Sequence, residues 1–251
     1  MIEYIQKPCP VCHNNHPESM RFIESNGEVN RILCKACDTI YFDHTPPVKP
    51  IYDLKYNMHF FRPGDIRKAG IMAAKLGELA NVKFQKPNIL EVGAGNGLTV
   101  LLLRAQGFNA FGLDLDQKLA QELKIKYNIP IVCAPFEDFN PPGKYHLIYS
   151  SHVIEHTMHP NRFMKKAFDL LEAGGLFCLD TPDTYYQAAA SGRWHHFETR
   201  NPYEHCCLLG DTGIRILAAE AGFEVVRGDR FDAYQSIQFL LSKPEKGGKE
   251  C

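Results

Sequence analysis

No apolar run in this sequence approaches the roughly 18 residues that a membrane-spanning helix needs. The N-terminus, Met1-Ile-Glu-Tyr-Ile-Gln-Lys7, also lacks the basic region followed by a long apolar stretch that marks a secretory signal. Internal repeats and low-complexity tracts are missing as well. The formal net charge is -1, so no overall positive field draws the chain to nucleic acid or to an anionic membrane. These absences favour a cytoplasmic protein with no membrane span, acting on a small or neutral partner rather than on nucleic acid. What is present is ordinary for a globular chain. Over 251 residues, 45% are hydrophobic and 23% charged, enough for one sizeable α/β core with a small appended module.

Nine cysteines in a chain without a signal peptide read as thiols or metal ligands rather than disulfides. Cys9-Pro-Val-Cys12 and Cys34-Lys-Ala-Cys37 form two CxxC knuckles, each able to offer two thiolates to one tetrahedral zinc, across a spacer slightly longer than usual for a zinc ribbon. His13 and His16 are the alternative ligands. The spacer carries Arg21-Phe-Ile-Glu24 and Val29-Asn-Arg-Ile-Leu33 around Asn26-Gly27, a hairpin pattern. Four protein ligands leave no position for water, so one structural zinc is expected. Residues 1–50 hold five basic side chains against six acidic ones, which is not a phosphate-binding footprint.

Thr45-Pro-Pro-Val-Lys-Pro50 is a stiff linker, because three prolines in six residues exclude a helix. The stretch 51–62 is rich in aromatics, including Tyr52, Tyr56, Phe60 and Phe61. Ile66, Ala69, Ala73, Leu76 and Leu79 then recur at helical spacing over 65–81, either as a helix packed on the core or as a lid. From Pro87 onward strands alternate with helices, the pattern of a parallel sheet covered on both faces. The strands are expected at 89–93, 109–114, 131–133, 146–150, 176–180, 223–227 and 234–241, with helices near 97–106, 117–127, 161–172 and 212–221. Only Gly228-Asp-Arg-Phe-Asp232 separates the last two strands. That is too short for a helical crossover, so this pair should be antiparallel.

The chain is organised around Asn88-Ile-Leu-Glu-Val-Gly-Ala-Gly-Asn-Gly-Leu-Thr99, in which a buried strand ends in three glycines on alternate positions. Glycine tolerates positive φ and lets a ligand approach the backbone at a helix N-terminus. The dinucleotide fingerprint GxGxxG is not met, because the third glycine comes one residue early. An acidic residue followed by GxGxG resembles the first motif of the class I S-adenosylmethionine-dependent methyltransferases, and the resemblance covers roughly residues 85–242. It implies a Rossmann-like seven-stranded methyltransferase sheet whose last strand is antiparallel, with S-adenosylmethionine as cofactor and S-adenosylhomocysteine as product. It further implies cofactor contacts from Glu91, Gly93, Ala94, Gly95 and Gly97. Asp114 would take the ribose hydroxyls with Leu115 beside it, Phe136 and Glu137 would lie near the adenine, and Ser150 and Ser151 at the end of the fourth strand. Asp116 reads instead as a helix cap. Pro135 stands where many relatives carry aspartate.

Tyr149-Ser-Ser-His-Val-Ile-Glu-His156 resembles the active-site segment that follows the fourth strand in small-molecule methyltransferases. His152, Glu155 and His156 also fit the HxxEH pattern of one class of zinc hydrolases, but that chemistry places them on one helix face, whereas here they follow a strand. They could equally cap the loop and orient one another. Residues 181–210 form an unusually long connection rich in rings and acid/base groups: Tyr185, Tyr186, Trp194, His195, His196, Phe197, Tyr203, Glu204 and His205. Histidine suits proton removal from a hydroxyl acceptor near neutral pH, so His152 and His205 lead as bases, followed by His156 and Glu155. The expected organisation is a zinc-ribbon module at 1–48, a linker and helical or lid segment at 49–84, the methyltransferase domain at 85–242 with a substrate cap at 181–210, and a flexible tail at 243–251. The expected activity is methyl transfer to a small molecule such as a sugar, lipid or secondary metabolite, with oxygen favoured as acceptor. A zinc-ribbon RNA methyltransferase and a non-catalytic cofactor-binding module are the alternatives.

Overall fold

The computed structural model describes residues 7–25, 30–44, 63–185, 205–231 and 235–245. The proline linker, the aromatic stretch at 51–62, most of the expected cap (186–204) and the end of the tail lie outside the described residues. The chain forms two compact units. One draws on Met1–Ile51, His152–Lys165 and Asp180–Leu241, the other on Tyr52–Ser151, Lys166–Leu179 and Ser242–Cys251.

In the first unit, β1 (Met20–Ser25) and β2 (Asn30–Cys34) form the expected antiparallel hairpin. Two strands absent from the sequence reading extend it. β3 (Thr39–Phe42) pairs with β2, and β9 (Cys207–Leu208) pairs with the other edge of β3, with Ile40 opposite Leu208 and Tyr41 opposite Cys207. Pairing on both sides explains why every residue of β3 is buried. A two-residue strand is too short to leave a periodic signal. The first turn of α5 (Asp211–Ala221) closes onto the same corner: a Cβ on Gly213 would lie 2.8 Å from Thr39 Oγ1 and 3.0 Å from the Cys37 carbonyl oxygen. Thr212 Oγ1 also donates to Asp38 Oδ2 at 3.2 Å.

In the second unit, α1 (Pro63–Lys83) packs on α2 (Leu98–Ala105) through Ala69, Ala73, Leu76, Gly77 and Ala80. Ile66, expected on the buried face, is 47% exposed. The buried stripe starts later and uses small residues that let the chains approach closely, since a Cβ on Gly77 would come within 2.5 Å of Gln106 Oε1. β4 (Asn88–Val92), β5 (Asn109–Asp114), β6 (Ile131–Cys133) and β7 (Tyr145–Ser151) are parallel, with Ile89 opposite Ala110 on one side and Leu147 on the other. Ile89, Leu90, Leu147 and Ile148 are fully buried, as befits strands covered on both faces. α3 (Gln117–Tyr127) starts where Asp116 accepts a hydrogen bond from the Leu119 amide at 3.0 Å, the cap expected of it.

β8 (Leu171–Pro182), β10 (Glu224–Phe231) and β11 (Ser236–Ser242) complete a seven-stranded sheet ordered β10-β11-β8-β7-β4-β5-β6, with β11 antiparallel to β8. This is the seven-stranded sheet with an antiparallel last strand that the resemblance implies. β8 starts five residues earlier than expected. Its backbone pairs there with Lys243, through Gly174 N–H to the Lys243 carbonyl at 3.0 Å and Lys243 N–H to the Gly175 carbonyl at 2.9 Å. The Lys243 ammonium donates at 2.8 Å to the carbonyls of Phe168 and Leu171, ending α4 (Pro160–Leu170) two residues before the expected stop.

Candidate functional site

The glycine loop hangs between β4 and α2. Gly93, Gly95 and Gly97 all have positive φ (73°, 49° and 69°), the conformation that calls for glycine at these alternate positions. The amides of Gly93 and Ala94 both donate to the Leu113 carbonyl, at 2.8 and 3.0 Å, tying the loop to the end of β5. The Asp114 carboxylate completes the tie, accepting from Gly95 N–H at 2.8 Å and from Asp116 N–H at 3.0 Å. A carboxylate has about four lone-pair sites, so two backbone donors leave capacity for two more. Sequence reasoning missed Gly112, where a Cβ would lie 2.8 Å from the Ala94 Cβ. A glycine inside a strand pattern is the signal that marks such a close approach.

Glu91 lies buried behind this loop. Burial pushes its carboxyl up to about 8, opposed by hydrogen bonds from Thr99 and the Val100 amide and reinforced by the nearby Asp114 charge, so it holds a proton at neutral pH. Its Oε2 has no hydrogen-bond partner among the described residues. Among the described residues, a Cβ added at Gly95 would meet nothing within 4 Å. An orphaned buried carboxyl oxygen, open backbone at the loop and spare acceptor capacity on Asp114 suit a ligand with ammonium and hydroxyl donors, as S-adenosylmethionine has. Leu115, next to Asp114, is 50% exposed and offers apolar surface at the same end of β5. Phe136 is only 5% exposed, so its ring is mostly committed to the core, while Glu137 is exposed. Ser150 is fully buried with its Oγ unpartnered, and Ser151 is half-buried.

The other unit gathers His152, Glu155, His156 and His205. β7 ends at Ser151, and His152 follows with φ of 54°, a left-handed conformation costly for a non-glycine residue, fixed by its N–H donating to the Asp180 carbonyl at 2.9 Å. A single 3-10 turn, Ile154–His156, then presents Glu155 and His156. The segment is therefore not the helix face that HxxEH hydrolase chemistry uses. Glu155 is 0% exposed. Its Oε2 accepts from Thr181 Oγ1 at 3.0 Å, and its Oε1 lies 3.3 Å from His152 Nδ1. Burial pushes this carboxyl up, but the His152 contact and the charges of His156, His152 and His205 outweigh it and hold Glu155 below its ordinary value. His152, 46% exposed, has its Nε2 4.0 Å from Asp180 Oδ2. The rings of His156 and His205 lie 5.1 Å apart between centroids.

Burial lowers His205 to about 4, against the pull of Glu155 and with help from His156, His152 and Arg31. Arg31, a buried residue of β2, is thus an electrostatic neighbour brought here by the fold, with no signal in its local sequence. Thr181 and Asp180 were also missed, although both stand at the end of a parallel strand, where open sheets build sites. Asp183, fully buried, accepts from Arg230 Nε at 2.6 Å, and Arg230 lies over the Tyr185 ring.

Cys9, Cys12, Cys34 and Cys37 bring their sulfurs within 4.8 Å of one another, with Cys9 to Cys37 at 3.5 Å and Cys12 to Cys34 at 3.6 Å. Tetrahedral zinc with bonds of about 2.3 Å spaces its thiolates about 3.8 Å apart, so the donor set and its spacing suit that ion. Burial, followed by the adjacent thiols of Cys37 and Cys12, pushes Cys34 up to about 12.

Residues 65–227 match the family model described as "Methyltransferase domain". Malonyl-[acyl-carrier protein] O-methyltransferase 1 of Ilyobacter polytropus is 28% identical over 65% of this chain and 66% of its own length. A ubiquinone biosynthesis O-methyltransferase of Rickettsia akari is 28% identical over 45% of this chain and 47% of its own. The chain thus spans about half to two thirds of the length of these curated relatives. Among solved structures, magnesium protoporphyrin IX methyltransferase from Synechocystis with bound SAH superposes with a TM-score of 0.57 over 78% of this chain and 90% of its own, at 14% identity, a likeness of fold. Among the described residues, no helix is long and apolar enough to cross a membrane.

Proposed function

We propose, from the premise that this chain belongs to the methyltransferase domain family and is an S-adenosylmethionine-dependent methyltransferase, that it methylates a hydroxyl of a small molecule such as a sugar, lipid or secondary metabolite. The observation that carries this reading is the buried Glu155 carboxylate set against His152. With Nδ1 held toward a carboxylate, Nε2, which lies 4.0 Å from Asp180 Oδ2, would be the nitrogen that takes a substrate proton, the arrangement of a general base. His205, His156 and Glu155 complete the acid/base set.

When bound, S-adenosylmethionine supplies a sulfonium methyl whose C–S electron pair returns to sulfur as the acceptor oxygen takes the carbon, leaving S-adenosylhomocysteine. The chain's own part is to hold and to deprotonate. The 93–97 loop with Ala94 and Glu91 would receive the amino-acid end, Asp114 the ribose hydroxyls, and Leu115 with the Phe136–Glu137 turn the adenine. Ser150 and Ser151 lie at the end of β7, directly before His152 in the chain. Residues 85–242 carry the chemistry. The cysteine cluster of residues 1–48 holds one structural zinc, and the cytoplasm is the setting.

Two observations favour a small acceptor over RNA: the balanced charge of residues 1–50 and the names of the relatives, an acyl-carrier-protein malonyl O-methyltransferase and a ubiquinone biosynthesis O-methyltransferase. The test is incubation with labelled S-adenosylmethionine and fractionated extract, followed by mass identification of the product. A labelled small molecule carrying a new O-methyl group is expected. Label in RNA or protein would overturn the acceptor class, and tight cofactor binding with no labelled product would point to a non-catalytic module.

A further inference from the structure

Glu155, His156 and His205 place one ligand atom each within 4.8 Å of the others. Two imidazoles and one carboxylate form a donor set for a first-row divalent cation, since imidazole suits zinc, iron and nickel while magnesium and calcium prefer all-oxygen sites. A second observation points into the same space. Glu155 is fully buried, and its Oε1, 3.3 Å from His152 Nδ1, makes no hydrogen bond of good geometry among the described residues. The other oxygen is fixed by Thr181 Oγ1 at 3.0 Å, the kind of outer contact that orients a ligating carboxylate. Bonds of about 2.1 Å put neighbouring donors of a tetrahedral ion about 3.4 Å apart, so the widest pair would close by about 1.4 Å at most, within the swing of an imidazole about its χ angles.

We propose that Glu155, His156 and His205 bind a divalent transition cation of the zinc class, distinct from the ion of the cysteine cluster, and that this second ion receives a hydroxyl oxygen of the methyl acceptor. The proposal rests on the hydroxyl-methylating reading above and sharpens it. Three protein ligands leave at least one position for an oxygen donor, the arrangement of reactive rather than structural zinc sites. A cation there makes the hydroxyl more acidic, and its proton passes to His152, which stands beside the ligand set through Glu155. His205 and His156 thereby become ligands, and of the four acid/base candidates His152 remains the base. The acceptor class narrows to molecules with an accessible hydroxyl, best one flanked by a second oxygen that can share the ion.

The test counts metal on the full chain. Protein equilibrated with excess Zn2+ and desalted is assayed by mass spectrometry for zinc per chain, alongside His205→Ala, His156→Ala and the shape-conserving Glu155→Gln, and calorimetry measures S-adenosylmethionine binding on the same samples. Each variant should carry one zinc fewer than the unaltered chain, or bind that ion about 10- to 100-fold more weakly, while cofactor affinity stays within about threefold. Cobalt loading should add a weak visible band of nitrogen and oxygen coordination to the intense thiolate spectrum, and lose only the weak band in the variants. Equal metal counts in all four proteins would overturn the metal site and leave the methyltransferase reading intact. Absent cofactor binding in the unaltered chain would instead count against that reading, whatever the metal count. Glu155→Gln keeps the comparison open if an alanine variant does not fold.

Discussion

The methyl-donor cradle and the histidine cluster differ most in how far apart their parts lie along the chain. The glycine loop, Glu91 and Asp114 fall within 91–114 and hang on two adjacent parallel strands, β4 and β5. The cluster takes His152, Glu155 and His156 from just beyond β7, Thr181 from β8 and His205 from just before β9. Two residues after His205, the chain becomes the edge strand of the cysteine-bearing sheet. A local unit suffices to hold a donor common to a whole family. The proposed acceptor end would be assembled over long range, with the N-terminal sheet contributing: β3 pairs with Cys207–Leu208, and Arg31 of β2 acts electrostatically on His205. On this view the ribbon steadies the acceptor end of the enzyme.

The largest expected effect follows from that coupling. Cys37→Ser should remove one zinc per chain, and with it much of the binding energy that folds the first unit, of which a structural site supplies about 10 kcal/mol. The melting temperature should fall by about 10 °C or more, with turnover lost while residual S-adenosylmethionine binding persists. Metal analysis, a thermal melt and calorimetry on one preparation check this. Unchanged turnover in a zinc-free variant would separate the ribbon from the acceptor end. Next in size, His152→Ala should lower turnover of the labelled acceptor by about 10²- to 10⁴-fold, the usual worth of a general base, and leave cofactor affinity unchanged. A loss of similar size in cofactor affinity would place His152 at the donor end instead.

The same contrast decides what was legible beforehand. Strand–helix alternation, the glycine spacing and Asp114 could be read directly, because each depends on residues a few positions apart whose periodicity or backbone demands leave a mark. The two CxxC knuckles were legible for the same reason. β9 was not, since Cys207 and Leu208 form a strand only because β3 offers an unpaired edge. The early start of β8 depends on Lys243, about 70 residues further on. Ile66 shared the helical period with its neighbours but stands about one turn before Ala69, the first buried position of α1, so spacing alone put it among the buried residues. Within the proposed acceptor site the histidines stood out as chemistry, whereas Thr181, Asp180 and Arg31 are ordinary residues that only the fold sets beside Glu155, His152 and His205. The stretch 186–204, with Trp194, His195 and His196, lies outside the described residues.

A smaller effect is expected at the donor end. Asp114→Ala removes the acceptor for the Gly95 and Asp116 amides along with the proposed ribose contacts. Charge-assisted hydrogen bonds contribute about 1.5 to 3 kcal/mol each, partly offset here by water reaching the loop, so S-adenosylmethionine should bind about 30- to 150-fold more weakly. Asp114→Asn, which keeps one oxygen but loses charge, should fall between the two. Equal affinities by calorimetry for all three proteins would remove Asp114 from the cradle.

The smallest and most pH-sensitive effect belongs to Glu91. Its carboxyl is raised from 4.5 to about 8 in the folded chain, chiefly by burial, so between those values the folded state keeps a proton that the unfolded state gives up. Stability attributable to this group therefore falls as pH rises through that window and levels off above about pH 8. Glu91→Gln copies the protonated shape and cannot ionise. At about pH 7 it should match the unaltered chain in cofactor affinity within about threefold, because both present a neutral group there. The melting temperature of the unaltered chain should fall relative to the variant between about pH 5 and pH 8, after which the gap stays constant. A gap that does not change with pH would mean that Glu91 is ionised in the folded chain, and that the back of the donor cradle is as charged as the Glu155 cluster rather than its neutral counterpart.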